Sequence, residues 1–178
     1  MVKTNLFFVV LLLISSCGDK VTTLRNGKTV VPSDMSIFKN RIFFDKQLLT
    51  KVDTSAIYKE EYGYLSVNED GFEPLDGRRS HRDDKYVGFY KFHSDGFVTS
   101  FIEPEDNIKL DESNNGYKGV FYKKNDKVYM DLYIIIRYSF TPRYGLDKRM
   151  LLIKGDTILF KSLNNPRSIK VYIKGRSN

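Results

Sequence analysis

Lys127-Val128-Tyr129-Met130-Asp131-Leu132-Tyr133-Ile134-Ile135-Ile136-Arg137-Tyr138-Ser139-Phe140 is the stretch that decides the fold. Val128, Met130, Leu132, Ile134, Ile136, Tyr138 and Phe140 form one wholly apolar set. Lys127, Tyr129, Asp131, Tyr133, Ile135, Arg137 and Ser139 form a second, mostly polar set. Side chains alternate across a strand with period two, whereas a helix would scatter both sets around its circumference. The stretch therefore reads as a β-strand with one face on a core and the other in water. Tyr117–Lys124 precedes it, and Asn125-Asp126 between the two reads as a hairpin turn.

The same pattern repeats outward. Residues 86–93, Ser94-Asp95-Gly96 and residues 97–102 make a second apolar run, tight turn and apolar run. Residues 149–154, Gly155-Asp156 and residues 157–161 make a third. Ile169, Val171 and Ile173 alternate with Lys170, Tyr172 and Lys174 in a last strand. Short turns between successive strands imply an antiparallel up-and-down meander, because parallel pairing needs crossovers of a dozen or more residues. A long meander either closes into a small barrel or curls to cover its open face, since free edges invite aggregation. The expected fold class is mainly β, with residues 36–178 as one domain.

Other segments read less regularly. Ile37-Phe38 and Ile42-Phe43-Phe44 are apolar, and residues 45–52 suit a short helix with Leu48, Leu49 and Val52 on one face. Residues 54–59 suit a short strand. Residues 63–85 are polar, with Gly71, Pro74, Gly77 and the charged run Arg78-Arg79-Ser80-His81-Arg82-Asp83-Asp84, and read as a loop or flap.

At the N-terminus Lys3 precedes an uninterrupted apolar run over residues 6–14. A membrane span needs roughly 20 apolar residues and a signal core only ~7–15, so the run fits a signal. It ends in Ile14-Ser15-Ser16-Cys17, which resembles the lipobox of bacterial lipoproteins: an aliphatic residue, two small residues and a cysteine. The resemblance implies removal of residues 1–16 and acylation of Cys17 by palmitate-type chains, giving a membrane-anchored protein of the cell envelope. Two acyl chains anchor stably where one does not. Residue 18 is Gly, not the Asp that retains lipoproteins at the inner membrane, so the resemblance points to the outer membrane. Residues 17–35 then read as the lipidated N-terminus and a flexible tether, rich in turn formers such as Gly27, Pro32 and Ser33. Cys17 is the only cysteine, so no intrachain disulfide can form.

Gly88-Phe89-Tyr90-Lys91-Phe92, the Asp95-Gly96 turn and Gly155-Asp156-Thr157 within such a meander resemble lipocalin-like lipoproteins of envelope bacteria, over roughly residues 54–174. The family's Gly-x-Trp element is missing, because the chain has no tryptophan. The resemblance implies a small barrel whose interior holds an apolar or amphiphilic ligand.

Composition removes several functions. The formal charge is +7, but the lysines are spread along the chain with no nucleic-acid motif, so nucleic acid is not the expected partner. A soluble surface, with some attraction to anionic headgroups, accounts for the charge. His81 and His93 are the only imidazoles, no Gly-x-Ser-x-Gly elbow occurs, and His93 beside its turn reads as a solvated residue. Two histidines and one acylated cysteine do not make a zinc site. Asp111-Glu112-Ser113-Asn114-Asn115-Gly116 mimics half of a calcium loop, but Tyr122 stands where the bidentate glutamate belongs. Glu103, Glu105 and Asp106 beside Pro104 read as solvated loop acids, and no Gly-rich phosphate loop appears. The expectation is a protein without catalytic residues, metal or cofactor.

Two roles of different class remain. A binding module would use the aromatic strands, with Phe89, Tyr90, Phe92, Phe97, Phe101, Phe121 and Tyr122; the plainer expectation is that these rings simply fill the core. An accessory subunit of an envelope complex would instead offer Tyr129, Tyr133, Ile135 and Arg137 on one strand face, or the 63–85 loop.

Overall fold

The hairpins of the sequence close on themselves. The computed structural model describes residues 20–78, 85–137 and 142–175. It begins with a two-stranded sheet, β1 (Val21–Thr23) and β2 (Val30–Pro32), followed by short 3-10 helices at Met35–Ile37, Lys39–Phe43 and Lys46–Thr50. Eight strands follow: β3 (Ile57–Leu65), β4 (Tyr86–Phe92), β5 (Phe97–Pro104), β6 (Tyr117–Lys124), β7 (Lys127–Arg137), β8 (Arg143–Lys154), β9 (Thr157–Ser162) and β10 (Asn165–Lys174). Each pairs antiparallel with its neighbour in sequence, and β10 pairs with β3, so the meander is a closed eight-stranded barrel with no free edge.

The three predicted hairpins are present, joined by tight turns at one end of the barrel. Asn125 and Asp126 both have positive φ, 50° and 59°, the geometry that keeps a two-residue turn in step with strand twist. Gly96 has φ +87°, and a Cβ there would meet the Phe44 ring at 2.6 Å, so backbone and neighbour both require glycine. Phe44 packs edge-to-face on Phe121, while Leu48 and Val52 join the interior cluster with Met130, Leu151 and Ile158. The 3-10 segment thus plugs the turn end. The expected helix over residues 45–52 is only the single 3-10 turn Lys46–Thr50, started by Asp45, whose carboxylate accepts the Gln47 N–H at 2.9 Å.

Other expectations shift. The strand expected over residues 54–59 is β3, which runs on to Leu65 and takes up the start of the expected 63–85 flap. The next residues are held down: Ser66 bridges Pro74, and the Lys161 ammonium donates to the Glu69 carbonyl at 2.9 Å and to that of Gly71. Residues 79–84, with His81 and most of the charged run, lie outside the described residues, as do Cys17 and the lipobox.

The supposed tether is also structured where it is described. β1 and β2 form a hairpin over residues 21–32, Val31 is buried, and β2 lies against β6 and β7. Together with the Lys39–Phe43 turn it covers the β7 face expected in water. Asp131, 2% exposed, accepts from Asn40 Nδ2 at 2.7 Å and the Tyr122 hydroxyl at 3.0 Å. Tyr133 is buried in a second, external cluster with Phe38, Val120 and Tyr122. The interior face is as expected for Val128, Met130, Leu132 and Ile134, whereas Ile136 at the far end is exposed.

A candidate ligand-binding cavity

Inward residues change character halfway along the barrel. Toward the turn end, Tyr58, Phe92, Val98, Phe121, Met130, Leu151 and Ile158 fill the interior completely. A layer of rings lies above them, Phe160 stacked on Tyr90 at 4.5 Å with Tyr172 tilted against both at 4.8 Å. Above that layer the inward positions include Glu60, Gly88, Ser100, Arg149, Ser162 and Ser168, and the interior is a cavity of ≈ 750 Å³ open at the loop end. Leu132, Ile134, Ile102, Tyr86 and Tyr117 supply apolar wall above the rings.

Small residues make the room and charged ones furnish it. A Cβ on Gly88 would meet Glu60 Oε2 at 2.6 Å and the Tyr172 hydroxyl at 2.7 Å. Glycine here lets those two groups approach across the barrel. The Tyr172 hydroxyl donates to Glu60 at 3.0 Å, and the Lys170 ammonium pairs with the same carboxylate at 2.9 Å. Arg149 donates Nε–H to Asp147 at 2.7 Å and an Nη1–H to the Tyr90 hydroxyl. Asp147 also accepts from Ser162 Oγ and Asn164 Nδ2, each at 3.0 Å. A buried charge needs partners of this kind to be tolerated.

Protonation follows from the enclosure. Burial pushes the Tyr172 hydroxyl well above the usual tyrosine range, and neighbouring Tyr90 and Glu60 add to it. Burial works against the charge on Arg149, but Tyr90, Asp147 and Tyr172 outweigh it and hold the proton more tightly than usual. The site keeps one fixed cation at Arg149 over any ordinary pH.

Residues singled out in the sequence fall elsewhere. Of the aromatic set, Tyr90 lines the cavity and Phe92 and Phe121 fill the core below it. Phe89 and Phe101 lie outside the barrel under Leu110, and Phe97 and Tyr122 lie in the external cluster under the 3-10 segment. His93 is not the solvated turn residue expected: it hydrogen-bonds Thr99 at 2.9 Å and approaches Glu112 at 3.5 Å on the outer wall. Glu103 is buried in β5, not solvated, and accepts from Asn115 Nδ2 at 2.5 Å. That bond, with a second from Asn115 to the Lys109 carbonyl at 2.6 Å, pins the supposed calcium loop to the barrel. Of the face offered to a protein partner, Tyr133 is buried and stacked on Tyr144, and Tyr129 is stacked on Tyr122.

The cavity's polar residues carry no motif in the sequence. In β10 the apolar Ile169 and Val171 face outward, under Tyr62, Tyr64 and Phe72, while Lys170 and Tyr172 face in. In β8 the usable signal is the spacing of Asp147, Arg149, Leu151 and Ile153, which puts two charges on the same face as two core residues. Comparison of the chain with protein-family models, with curated proteins and with solved structures gives no match.

Proposed function

We propose that the protein is a lipid-anchored envelope lipoprotein whose barrel is a non-enzymatic, lipocalin-like binding module for an apolar or amphiphilic molecule. The cavity carries this reading. Its volume of ≈ 750 Å³ falls within the roughly 300–1,000 Å³ of small-molecule sites. It is a dead end, since the turn half of the barrel is filled, and its lining is mixed, with Ile102, Leu132 and Ile134 as apolar wall beside charged Glu60, Arg149 and Lys170. For the anchor the support is the Ile14-Ser15-Ser16-Cys17 sequence.

Native mass spectrometry of the protein purified without detergent tests the binding role. Excess mass of roughly a few hundred daltons, removed by organic extraction, is the expected result for a cavity of this size. A bare mass from envelope-purified protein, together with no uptake of added apolar probes, would sink it. Separately, Cys17→Ala should abolish palmitate labelling and leave the precursor unprocessed; label retained on the variant would refute the lipobox.

A further inference from the structure

We infer that the cavity takes its ligand head first, and that the head is a carboxylate held by Arg149. The inference rests on the ligand-binding reading and adds the chemical class and orientation of the ligand.

The first observation is a donor surplus. Arg149 spends its Nε–H on Asp147 and one Nη1–H on Tyr90, and its other N–H groups have no acceptor among the described residues. Arg149 lines the cavity, so those groups can reach a ligand. The nearby protein acceptors are committed: Asp147 to Arg149, Ser162 and Asn164, and Glu60 to Lys170 and Tyr172. A guanidinium edge presents parallel N–H groups that fit the two oxygens of a carboxylate.

The second observation is charge. Among the described residues the lining carries Lys85, Arg149 and Lys170 against Glu60, and Asp147 is ion-paired with Arg149. Three cations against two carboxylates leave one positive charge, which a single carboxylate neutralises. A cationic head would meet Arg149 with no free acceptor, and a neutral alcohol would leave the charge unmatched.

The third is position. Arg149 stands directly above the layer of Tyr90, Phe160 and Tyr172 rings, bonded to the Tyr90 hydroxyl, and so at the floor of the cavity. From there Leu132 and Ile134 lead to Ile102 and Tyr86, both 55% exposed at the mouth. A head at Arg149 lays an alkyl tail along that wall. The reverse orientation would bury a methyl end against a guanidinium and leave its donors dry.

The test is displacement of a neutral naphthylamine probe from the delipidated protein by dodecanoate, dodecanol and dodecyltrimethylammonium at neutral pH. Dodecanoate should bind roughly tenfold or more tighter than dodecanol, and the cation weakest. In Asp147→Asn/Arg149→Met the charged pair is removed together, which spares the fold an orphaned ion. This variant should still bind dodecanol but lose the preference for dodecanoate. Equal binding of dodecanoate and dodecanol by the wild-type protein would overturn the head-group inference while leaving the cavity reading intact. Tighter binding of the cation would overturn it in favour of Glu60. Failure of the probe and all three amphiphiles to bind would overturn both readings. The wild-type comparison needs no variant, so misfolding of the double mutant cannot rescue the inference.

Discussion

The two halves of the barrel share the same strands and the same alternation, yet one is solid and the other hollow. Below the ring layer the strands β3 to β9 each offer the interior an apolar or aromatic residue, and the 3-10 segment inserts Phe44, Leu48 and Val52 across the end. Above it, Gly88, Ser100, Ser162 and Ser168 stand at inward positions where the lower half has Phe92, Val98 and Ile158. Two described stretches of the open-end loops, residues 66–74 and 105–116, are held on the outside of the barrel. The Lys161 ammonium, lying over the Phe72 ring, holds residues 66–74 there. Asn115 and Glu112 hold residues 105–116 over β4 and β5. A cavity here is thus made by small inward residues and kept open by outward loop docking, with no change in backbone architecture.

The sharpest way to break that contrast is to delete the same kind of bulk from each half. Phe121→Ala removes a fully buried ring packed on Phe44 and Phe92, and should cost about 3–5 kcal/mol in denaturant unfolding. Ile134→Ala, on the wall of an existing cavity, should cost about 1 kcal/mol while weakening ligand uptake. Equal costs would mean that the upper half is packed as tightly as the lower. Gly88→Ala adds bulk at the floor, between Glu60 and Tyr172, and should destabilise by about 1–3 kcal/mol. It should also displace Lys170, so that a stable variant with unaltered ligand uptake would show that this polar floor is not part of the site.

How much of this was legible in the sequence depends on what sets each feature. The hairpins were legible because strand alternation and turn chemistry are local: Asn125-Asp126 and Gly96 determine their turns whatever the rest of the chain does. Closure is not a local property, since pairing of β10 with β3 joins residues over a hundred positions apart, and the pattern alone allows a barrel or a curled sheet. Face assignment failed where a loop supplied a second apolar environment. Ile169 and Val171 look like core and are buried, but on the outside, under Tyr62, Tyr64 and Phe72. Asp131 looks solvated and is buried, because Asn40 arrives from ninety-one residues away. Period two tells which residues share a face, and not which face is inside. The same limit hides the cavity's charged floor, because the alternation of residues 169–174 does not say that Lys170 and Tyr172 are the pair facing in.

The smallest expected effect sharpens the account of the open end. Glu112 anchors its loop by accepting from Lys91 at 3.0 Å and from Thr99 Oγ1 at 3.1 Å, with His93 at 3.5 Å and Lys118 at 3.7 Å. Burial alone would raise its pKa, but Lys91, His93 and Thr99 outweigh burial and hold it below the ordinary value of 4.5. A depressed carboxylate stabilises the fold above its unfolded pKa, and that contribution disappears as pH falls through the folded value. Glu112→Gln should therefore cost no more than about 1 kcal/mol at neutral pH, given a partly exposed, solvent-screened site. The difference from wild type should close on acidification below 4.5. The more telling measurement is hydrogen exchange: faster exchange confined to residues 105–116, with the β6–β7 amides unchanged, is expected if charge pins the loop to the outer wall. Unchanged protection in the loop would mean that Asn115 and the burial of Leu110 against Val87, Phe89 and Phe101 hold it alone, and that the mouth stays open by packing without help from the ion pairs.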